Sequence, residues 1–196
     1  MNNENYLGNP NLKKTNVAQE FTKEQIEEYV KCSKDPVYFV EKYIKIVNLD
    51  EGFVNFNLYP FQEKMVKTFH KNRFSICKIP RQSGKSTTVC SYILWYSLFN
   101  ENVNCAILAN KGALARDLLA KIHMSYEALP SWLQQGIKVW NKGSIELENG
   151  SKISSTHKHR FLKLINGEFK ISLYKGSLEC RYFRSMSLFT ALKNFS

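Results

Sequence analysis

Hydrophobic positions in the N-terminal third of the chain recur at helical spacing. Thr22-Lys23-Glu24-Gln25 has the form of a capping box and leads into the apolar face of a first predicted helix. Asp35 and Pro36 predict the N-cap and the first position of a second helix, and Pro60 opens a third. The polar residues 1–20 show no such period, so we expect a flexible arm with order beginning at Thr22.

The middle of the chain alternates short apolar runs with helical patterns. The runs Phe74–Ile79 and Cys105–Ala109 are short enough for buried strands, and we predict that both are central parallel strands. The segment between them has apolar residues at helical spacing, so the order strand, loop, helix, strand predicts a βαβ unit. A further helix is predicted from Gly112 to Leu129.

Between Ile137 and Ile153, apolar and polar residues alternate with a period of two. The turn signals Asn141-Lys142-Gly143 and Asn149-Gly150 divide this region into short segments. The pattern predicts a small antiparallel hairpin annex beside the parallel strands.

The loop after the first predicted strand carries a phosphate-binding pattern, Arg81-Gln82-Ser83-Gly84-Lys85-Ser86-Thr87. In such a P-loop, backbone N–H groups at the start of a helix form a concavity for anions. Lys85 is expected to meet the β- and γ-phosphates of ATP, and the Ser86 hydroxyl to bind Mg²⁺. The usual pattern has another glycine where this chain has Ile79, so a chance Gly-Lys-Ser turn is the alternative.

Two other positions are candidates for roles around this loop. Arg81 is predicted to act as an arginine finger in cis, or else to face solvent or DNA from the rim. Phe61 and Gln62 lie upstream and offer a ring beside a base and an amide for the adenine edge, although a helix-surface Gln beside a core Phe is the alternative. We predict Arg81 and Lys85 as catalytic and Ser86 as the metal ligand. The predicted nucleotide-binding residues are Phe61, Gln62, Arg81, Gln82, Ser83, Gly84, Lys85, Ser86 and Thr87.

The predicted fold class is therefore α/β, a three-layer αβα P-loop NTPase with an incomplete parallel sheet. Hydrolysis also requires an Asp that holds the magnesium and a group that orients water. Residues 100–196 contain no apolar run that ends in adjacent acids. Glu146 and Glu148 alternate with apolar residues, which is typical of the solvent-facing side of a hairpin strand.

Charge and composition divide the chain near residue 156. The net charge is +11 and the pI about 9.4, which favours a polyanionic partner such as nucleic acid. From His157 onward, the chain has eight basic residues and two acidic ones. We therefore predict that residues 21–156 form one ordered region and that residues 157–196 form a basic tail unrelated to it. His157 and His159 lack further ligands and are typical of a basic surface rather than of a metal site.

The cysteines and the apolar runs exclude other classes of protein. Five cysteines without paired spacing are expected to be buried or partly buried thiols rather than zinc ligands. No stretch approaches the roughly 18 apolar residues of a membrane-spanning helix, and residues 1–16 are polar, so we expect a cytoplasmic protein.

These motifs together resemble the ATPase domain of the large terminase subunit of T-even-type tailed phages. The resemblance covers roughly Asn9 to Ser155. Its blocks are Asp35-Pro36-Val37-Tyr38-Phe39, Phe61-Gln62, Arg81-Gln82-Ser83-Gly84-Lys85-Ser86-Thr87, Ile107-Leu108-Ala109-Asn110-Lys111-Gly112 and Trp140-Asn141-Lys142-Gly143-Ser144-Ile145-Glu146-Leu147. The resemblance places Phe61 and Gln62 at adenine-motif positions, Lys85 and Ser86 at phosphate and magnesium positions, and Arg81 at the cis-acting arginine.

The resemblance implies an ATPase that uses ATP and Mg²⁺ to move double-stranded viral DNA in the host cytoplasm during virion assembly. It also implies a portal protein, a small terminase subunit, and a C-terminal part with the catalytic acids and a nuclease domain. Because residues after Ser155 do not match the family, we expect a truncated or split chain that is not competent alone. The alternatives are a helicase-type ATPase fragment and an inactive remnant that binds nucleic acid.

Overall fold

The computed structural model describes residues 5–48, 50–72, 75–109, 111–157 and 171–175, and they form a mixed α/β fold. The helices are α1 (Lys23–Lys34), α2 (Pro36–Tyr43), α3 (Pro60–Lys71), α4 (Lys85–Phe99) and α5 (Gly112–Glu127). The strands are β1 (Lys45–Asn48), β2 (Gly52–Asn55), β3 (Asn104–Ala109), β4 (Ile137–Asn141), β5 (Ser144–Leu147), β6 (Lys152–His157) and β7 (Ile171–Lys175). Short 3₁₀ turns occur at Tyr6–Gly8 and Ser131–Leu133.

The main sheet has the strand order β4-β5-β6-β3-β7. β3 runs parallel to both β6 and β7, while β5 is antiparallel to β4 and β6. The predicted strand Cys105–Ala109 is therefore confirmed as a central parallel strand, and the hairpin annex is confirmed as β4 and β5. β6 joins the two parts, because it pairs with the annex on one edge and with β3 on the other. A separate hairpin is formed by β1 and β2.

The first predicted strand is wrong over the residues that the structure describes. Residues 75–79 have no strand assignment, and Phe74 lies outside the described part of the chain. Ser75 is buried whereas Ile76 is 67% exposed, so this segment is not covered on both faces. The physical reason lies in the pairing: the two edges of β3, beside which this run was expected to lie, are hydrogen-bonded to β6 and to β7 instead.

The three predicted N-terminal helices are confirmed, and so are the caps predicted for the first two. Thr22 Oγ1 accepts the Gln25 N–H and the Gln25 side chain accepts the Thr22 N–H, which completes a capping box. Asp35 Oδ1 accepts the N–H groups of Val37 and Tyr38, with Pro36 at the first helical position.

Helix α4 lies in the centre of the core. Val89, Ile93 and Leu94 are at most 1% exposed, and Trp95 donates from its indole N–H to the Cys32 carbonyl at 2.8 Å. This bond joins α4 to the C-terminal part of α1 within an aromatic cluster. Because apolar side chains surround α4, its position is fixed by the core.

The N-terminal segment differs from the expected flexible arm. Leu12 is 2% exposed, the Lys13 carbonyl accepts the Ile137 N–H at 2.9 Å, and Gln134 donates to the Asn11 carbonyl at 3.0 Å. Order thus begins before Thr22. A single buried leucine in a polar run produces no periodicity, so this docking has no sequence signal of its own.

The cysteines that the structure describes behave as predicted. Cys32, Cys90 and Cys105 are buried, Cys77 is partly buried, and none of these four forms a disulfide. Within the described residues, no helix combines the length and apolar character needed to cross a membrane.

Candidate functional site

The loop from Pro80 to Gly84 has an unusual backbone and leads directly into α4. Gly84 is the N-cap with φ +69°, and Gln82 also has a positive φ of 60°. Left-handed residues are rare outside glycine, and in a turn they bring backbone N–H groups to one concave side where anions bind. α4 then adds the positive end of its dipole at Lys85. The predicted loop and helix start are therefore both present.

The polar side chains of the loop converge on one carbonyl. The Lys85 ammonium donates to the Pro80 carbonyl at 2.6 Å, and the Ser83 hydroxyl donates to the same oxygen at 2.8 Å. Lys85 is only 6% exposed. The Lys85 side chain therefore lies on the concave side of the loop, where its ammonium group can contact an anion that binds to the loop.

Gln62 lies against this loop from α3 and is 1% exposed. Its side-chain oxygen accepts the Tyr59 N–H at 2.9 Å, and its side-chain nitrogen donates to the Ser83 carbonyl at 3.1 Å. Sequence reasoning expected this amide at the edge of an adenine. In the structure, the amide connects the N-terminus of α3 to the loop.

The contact with Gln62 also explains why residue 84 is glycine. A Cβ atom there would lie 2.5 Å from the Gln62 amide nitrogen, and the positive φ disfavours any larger residue. Gly84 is therefore favoured by its backbone conformation, and a larger residue there would also displace the Gln62 amide.

An exposed aromatic pair flanks the start of α3. The rings of Tyr59 and Phe61 are 6.0 Å apart between centroids and lie within 6° of parallel. They are 66% and 41% exposed, so they offer a flat apolar surface near Gln62. Phe61 was predicted from sequence, and Tyr59 was not. The signal for Tyr59 is its position two residues before Phe61, across Pro60, at the N-cap of the helix.

The remaining predicted loop residues differ in their surroundings. Arg81 and Gln82 are exposed, while Ser86 and Thr87 are partly buried. Thr87 Oγ1 accepts from the Lys121 ammonium on α5 at 3.3 Å. Sequence reasoning missed Lys121, because only the packing of α4 on α5 brings this distant lysine to the loop.

Glu146 and Glu148, the two acids considered for a role in hydrolysis, each contact another residue. Glu146 forms an ion pair with Lys152, and Glu148 accepts the Asn16 N–H at 2.8 Å. In the part of the chain that the structure describes, no group of three or more His, Cys, Asp or Glu side chains could hold a metal ion. The side chains of His157 and His159 lie outside the described residues.

The chain is similar to a protein family and to a solved structure. Residues 76–162 match the family described as terminase large subunit, T4likevirus-type, N-terminal. The fold resembles the crystal structure of the large terminase of bacteriophage HK97, with 13% sequence identity and a TM-score of 0.55. That similarity covers 72% of this chain and 30% of the HK97 chain. The chain thus spans about a third of the HK97 protein, and at this identity the likeness concerns the fold alone.

Proposed function

We propose that this chain is the ATP-binding part of a viral DNA-packaging motor, because residues 76–162 match the N-terminal family of T4-like terminase large subunits. The observation that carries the proposal is the loop before α4, where Gly84 is left-handed and the Lys85 ammonium lies inside the curve. A triphosphate is the biological anion best matched to a lysine at the positive end of a helix. We also propose that the fold around this loop is the three-layer αβα P-loop architecture.

In this proposal, each loop residue has a separate task. Lys85 leaves the Pro80 carbonyl and meets the β- and γ-phosphates, while the Ser86 hydroxyl supplies one magnesium ligand. Arg81 is exposed on the loop and is proposed to stabilise charge on the γ-phosphate in cis. The ring of Phe61 packs beside the base.

Hydrolysis and translocation need groups that the loop does not supply. A carboxylate must complete the magnesium site and position the attacking water. We propose that these acids belong to another part of the motor, so that this chain binds ATP but does not turn it over alone. The net charge of +11 is suited to double-stranded DNA, with packaging proteins as further partners.

The decisive experiment is a titration of the chain with ATP and Mg²⁺ beside a hydrolysis assay. Lys85→Ala should lower ATP affinity at least tenfold, and Lys64→Ala, which alters an exposed lysine on α3, should leave it unchanged. Absence of ATP binding by the wild-type chain would overturn the proposal in favour of a remnant that binds only nucleic acid. Turnover by the chain alone would contradict the need for outside carboxylates.

A further inference from the structure

We propose that Gln62 is a positioning residue that holds the phosphate-binding loop in shape, so that it governs phosphate affinity rather than recognition of the base. The inference rests on the proposed nucleotide function and assigns a part within it. In this role Gln62 acts on the loop through the Ser83 carbonyl and the space beside Gly84 rather than as a phosphate ligand.

Both ends of the Gln62 amide are engaged, and each contacts a different element. The oxygen caps α3 by accepting the Tyr59 N–H at 2.9 Å, and the nitrogen donates to the Ser83 carbonyl at 3.1 Å. A side-chain amide offers an acceptor and a donor on one planar group, so a single side chain can make both contacts. A glutamine at the third position of α3 therefore connects a helix cap to the loop.

Burial makes this connection costly to break. Gln62 is 1% exposed, so an amide that turned towards a base would leave the Ser83 carbonyl with one partner fewer and uncap α3. Losing a hydrogen bond at a buried polar group costs about 1–3 kcal/mol. An adenine-edge contact would have to outweigh that cost, whereas the observed contacts need no rearrangement.

The fit at Gly84 shows that the contact is built into the loop. The Gln62 nitrogen occupies the space that a Cβ of residue 84 would need, at 2.5 Å. Gly84 is left-handed, and its neighbour Ser83 donates to the carbonyl of Pro80, which also receives Lys85. By its contacts with Ser83 and Gly84, Gln62 fixes the backbone conformation of the loop that holds the Lys85 ammonium.

The chain contains a matched control for this role. Gln25 occupies the same third position in α1 and accepts the Thr22 N–H at 3.1 Å, which is the same contact of a glutamine side chain with the N-cap residue. α1 begins far from the loop in sequence, and among the described residues the hydrogen bonds of the Gln25 cap stay within its own turn. Substitutions at Gln25 therefore report the effect of a lost cap without an effect on the loop.

The test compares Mg²⁺ complexes of ATP, GTP and inorganic tripolyphosphate as ligands of the wild-type chain and its variants. Gln62→Leu removes both hydrogen bonds, and Gln62→Glu keeps the acceptor for Tyr59 but places an oxygen against the Ser83 carbonyl. Both variants should weaken all three ligands by a similar factor of tenfold or more. Gln25→Leu and Gln25→Glu should leave all three affinities unchanged.

A pH series separates positioning from a general loss of structure. Protonation of the carboxyl in Gln62→Glu restores a donor towards Ser83, so its tripolyphosphate affinity relative to the wild type should recover as the pH falls towards 5. Gln62→Glu also carries the test if Gln62→Leu fails to fold, because it preserves the side-chain size and the cap.

The outcomes distinguish this inference from the proposed function. Loss of ATP affinity with unchanged GTP and tripolyphosphate affinity would make Gln62 a reader of the base and overturn the inference alone. Unchanged affinities in both Gln62 variants would also overturn the inference and leave the proposed nucleotide function intact. A wild-type chain that binds none of the three ligands would overturn the nucleotide function itself, and the inference with it.

Discussion

The side-chain amide of Asn149 donates to the backbone carbonyl of Ser97 at 2.8 Å and to that of Asn100 at 3.1 Å. The turn between β5 and β6 therefore caps the last turn of α4, whose carbonyls lack partners within the helix. The helix that starts at the loop is thus held at its far end by the hairpin.

Removing this cap should destabilise the whole fold. Asn149→Ala should lower the free energy of unfolding by about 1–3 kcal/mol, because it removes the Asn149 donor from the Ser97 carbonyl. The Asn100 carbonyl, in contrast, still accepts from the Ser151 hydroxyl. Urea denaturation followed by circular dichroism measures the loss. The control is Asn141→Ala in the turn between β4 and β5, where Asn141 accepts only from the nearby Gly143 and Ser144 and is exposed. Equal losses in the two variants would contradict the capping role.

Glu28 should stabilise the N-terminal helices in a pH-dependent way. It accepts from Tyr38 at 2.8 Å and from Tyr43 at 2.9 Å, and it pairs with Lys42 at 2.8 Å. Burial by itself would raise the pKa of this carboxyl, but the hydrogen bonds from Lys42, Tyr38 and Tyr43 outweigh it and lower the pKa to about 2. Since the ordinary value is 4.5, the contribution is fully present above about pH 4.5 and is lost as the pH falls through 2.

Glu28→Gln should therefore lower the free energy of unfolding at pH 7 by about 1–2 kcal/mol, which is measured as a lower melting temperature. The difference from the wild type should shrink as the pH falls below 4.5. Glu63→Gln is the control, because Glu63 pairs with Lys67 on the surface of α3, where such a pair contributes little. A Glu28→Gln effect that is constant between pH 7 and pH 3 would refute the assignment.

Tyr92 and Tyr126 form a matched pair of buried tyrosines. The Tyr92 hydroxyl is buried and has no hydrogen-bond partner in the described part of the chain, whereas the Tyr126 hydroxyl donates to the Gln135 carbonyl. Tyr92→Phe should be neutral or should raise the free energy of unfolding by up to about 1 kcal/mol, because it removes an unsatisfied polar group. Tyr126→Phe should lower it by about 1 kcal/mol. Denaturation of both variants checks the order, and a larger loss in Tyr92→Phe would contradict it.

The Tyr59–Phe61 pair should contribute to binding of the base and not of the phosphates. Tyr59→Ala should reduce ATP affinity by an amount typical of one aromatic–base contact, roughly 1–3 kcal/mol, while tripolyphosphate affinity stays unchanged. The control is Phe53→Ala, an exposed aromatic on β2 that is not part of the pair. Equal losses for ATP and tripolyphosphate in Tyr59→Ala would show that the ring supports the loop instead.

Features that depend on neighbours along the chain were predictable from sequence. The caps at Thr22 and Asp35 formed as expected, because each side chain bonds to N–H groups two or three residues away. The turn at Asn149-Gly150 was also predicted, but the capping of α4 by Asn149 was not. Asn149 reaches the carbonyl of Ser97, which is 52 residues distant, and no local pattern records such a contact.

The local geometry of the predicted loop followed from the sequence, whereas the contacts of the loop with other helices did not. The loop pattern from Arg81 to Thr87 located the left-handed turn and the start of α4, since the glycine and the lysine act on adjacent backbone. The hydrogen bonds of Gln62, in contrast, depend on how α3 packs beside the loop, and Lys121 reaches Thr87 only because α5 packs on α4.

The sequence by itself determined where helices begin, which residues turn, and that a lysine follows a left-handed glycine at the start of α4. These properties follow from backbone sterics and hydrogen bonds within a few residues. Only the tertiary structure decided which apolar runs became strands, since residues 75–79 remain outside the sheet while both edges of β3 pair with later segments. Strand pairing and side-chain contacts such as that of Gln62 with Ser83 join residues far apart in the chain, and their energies depend on packing that no local pattern contains.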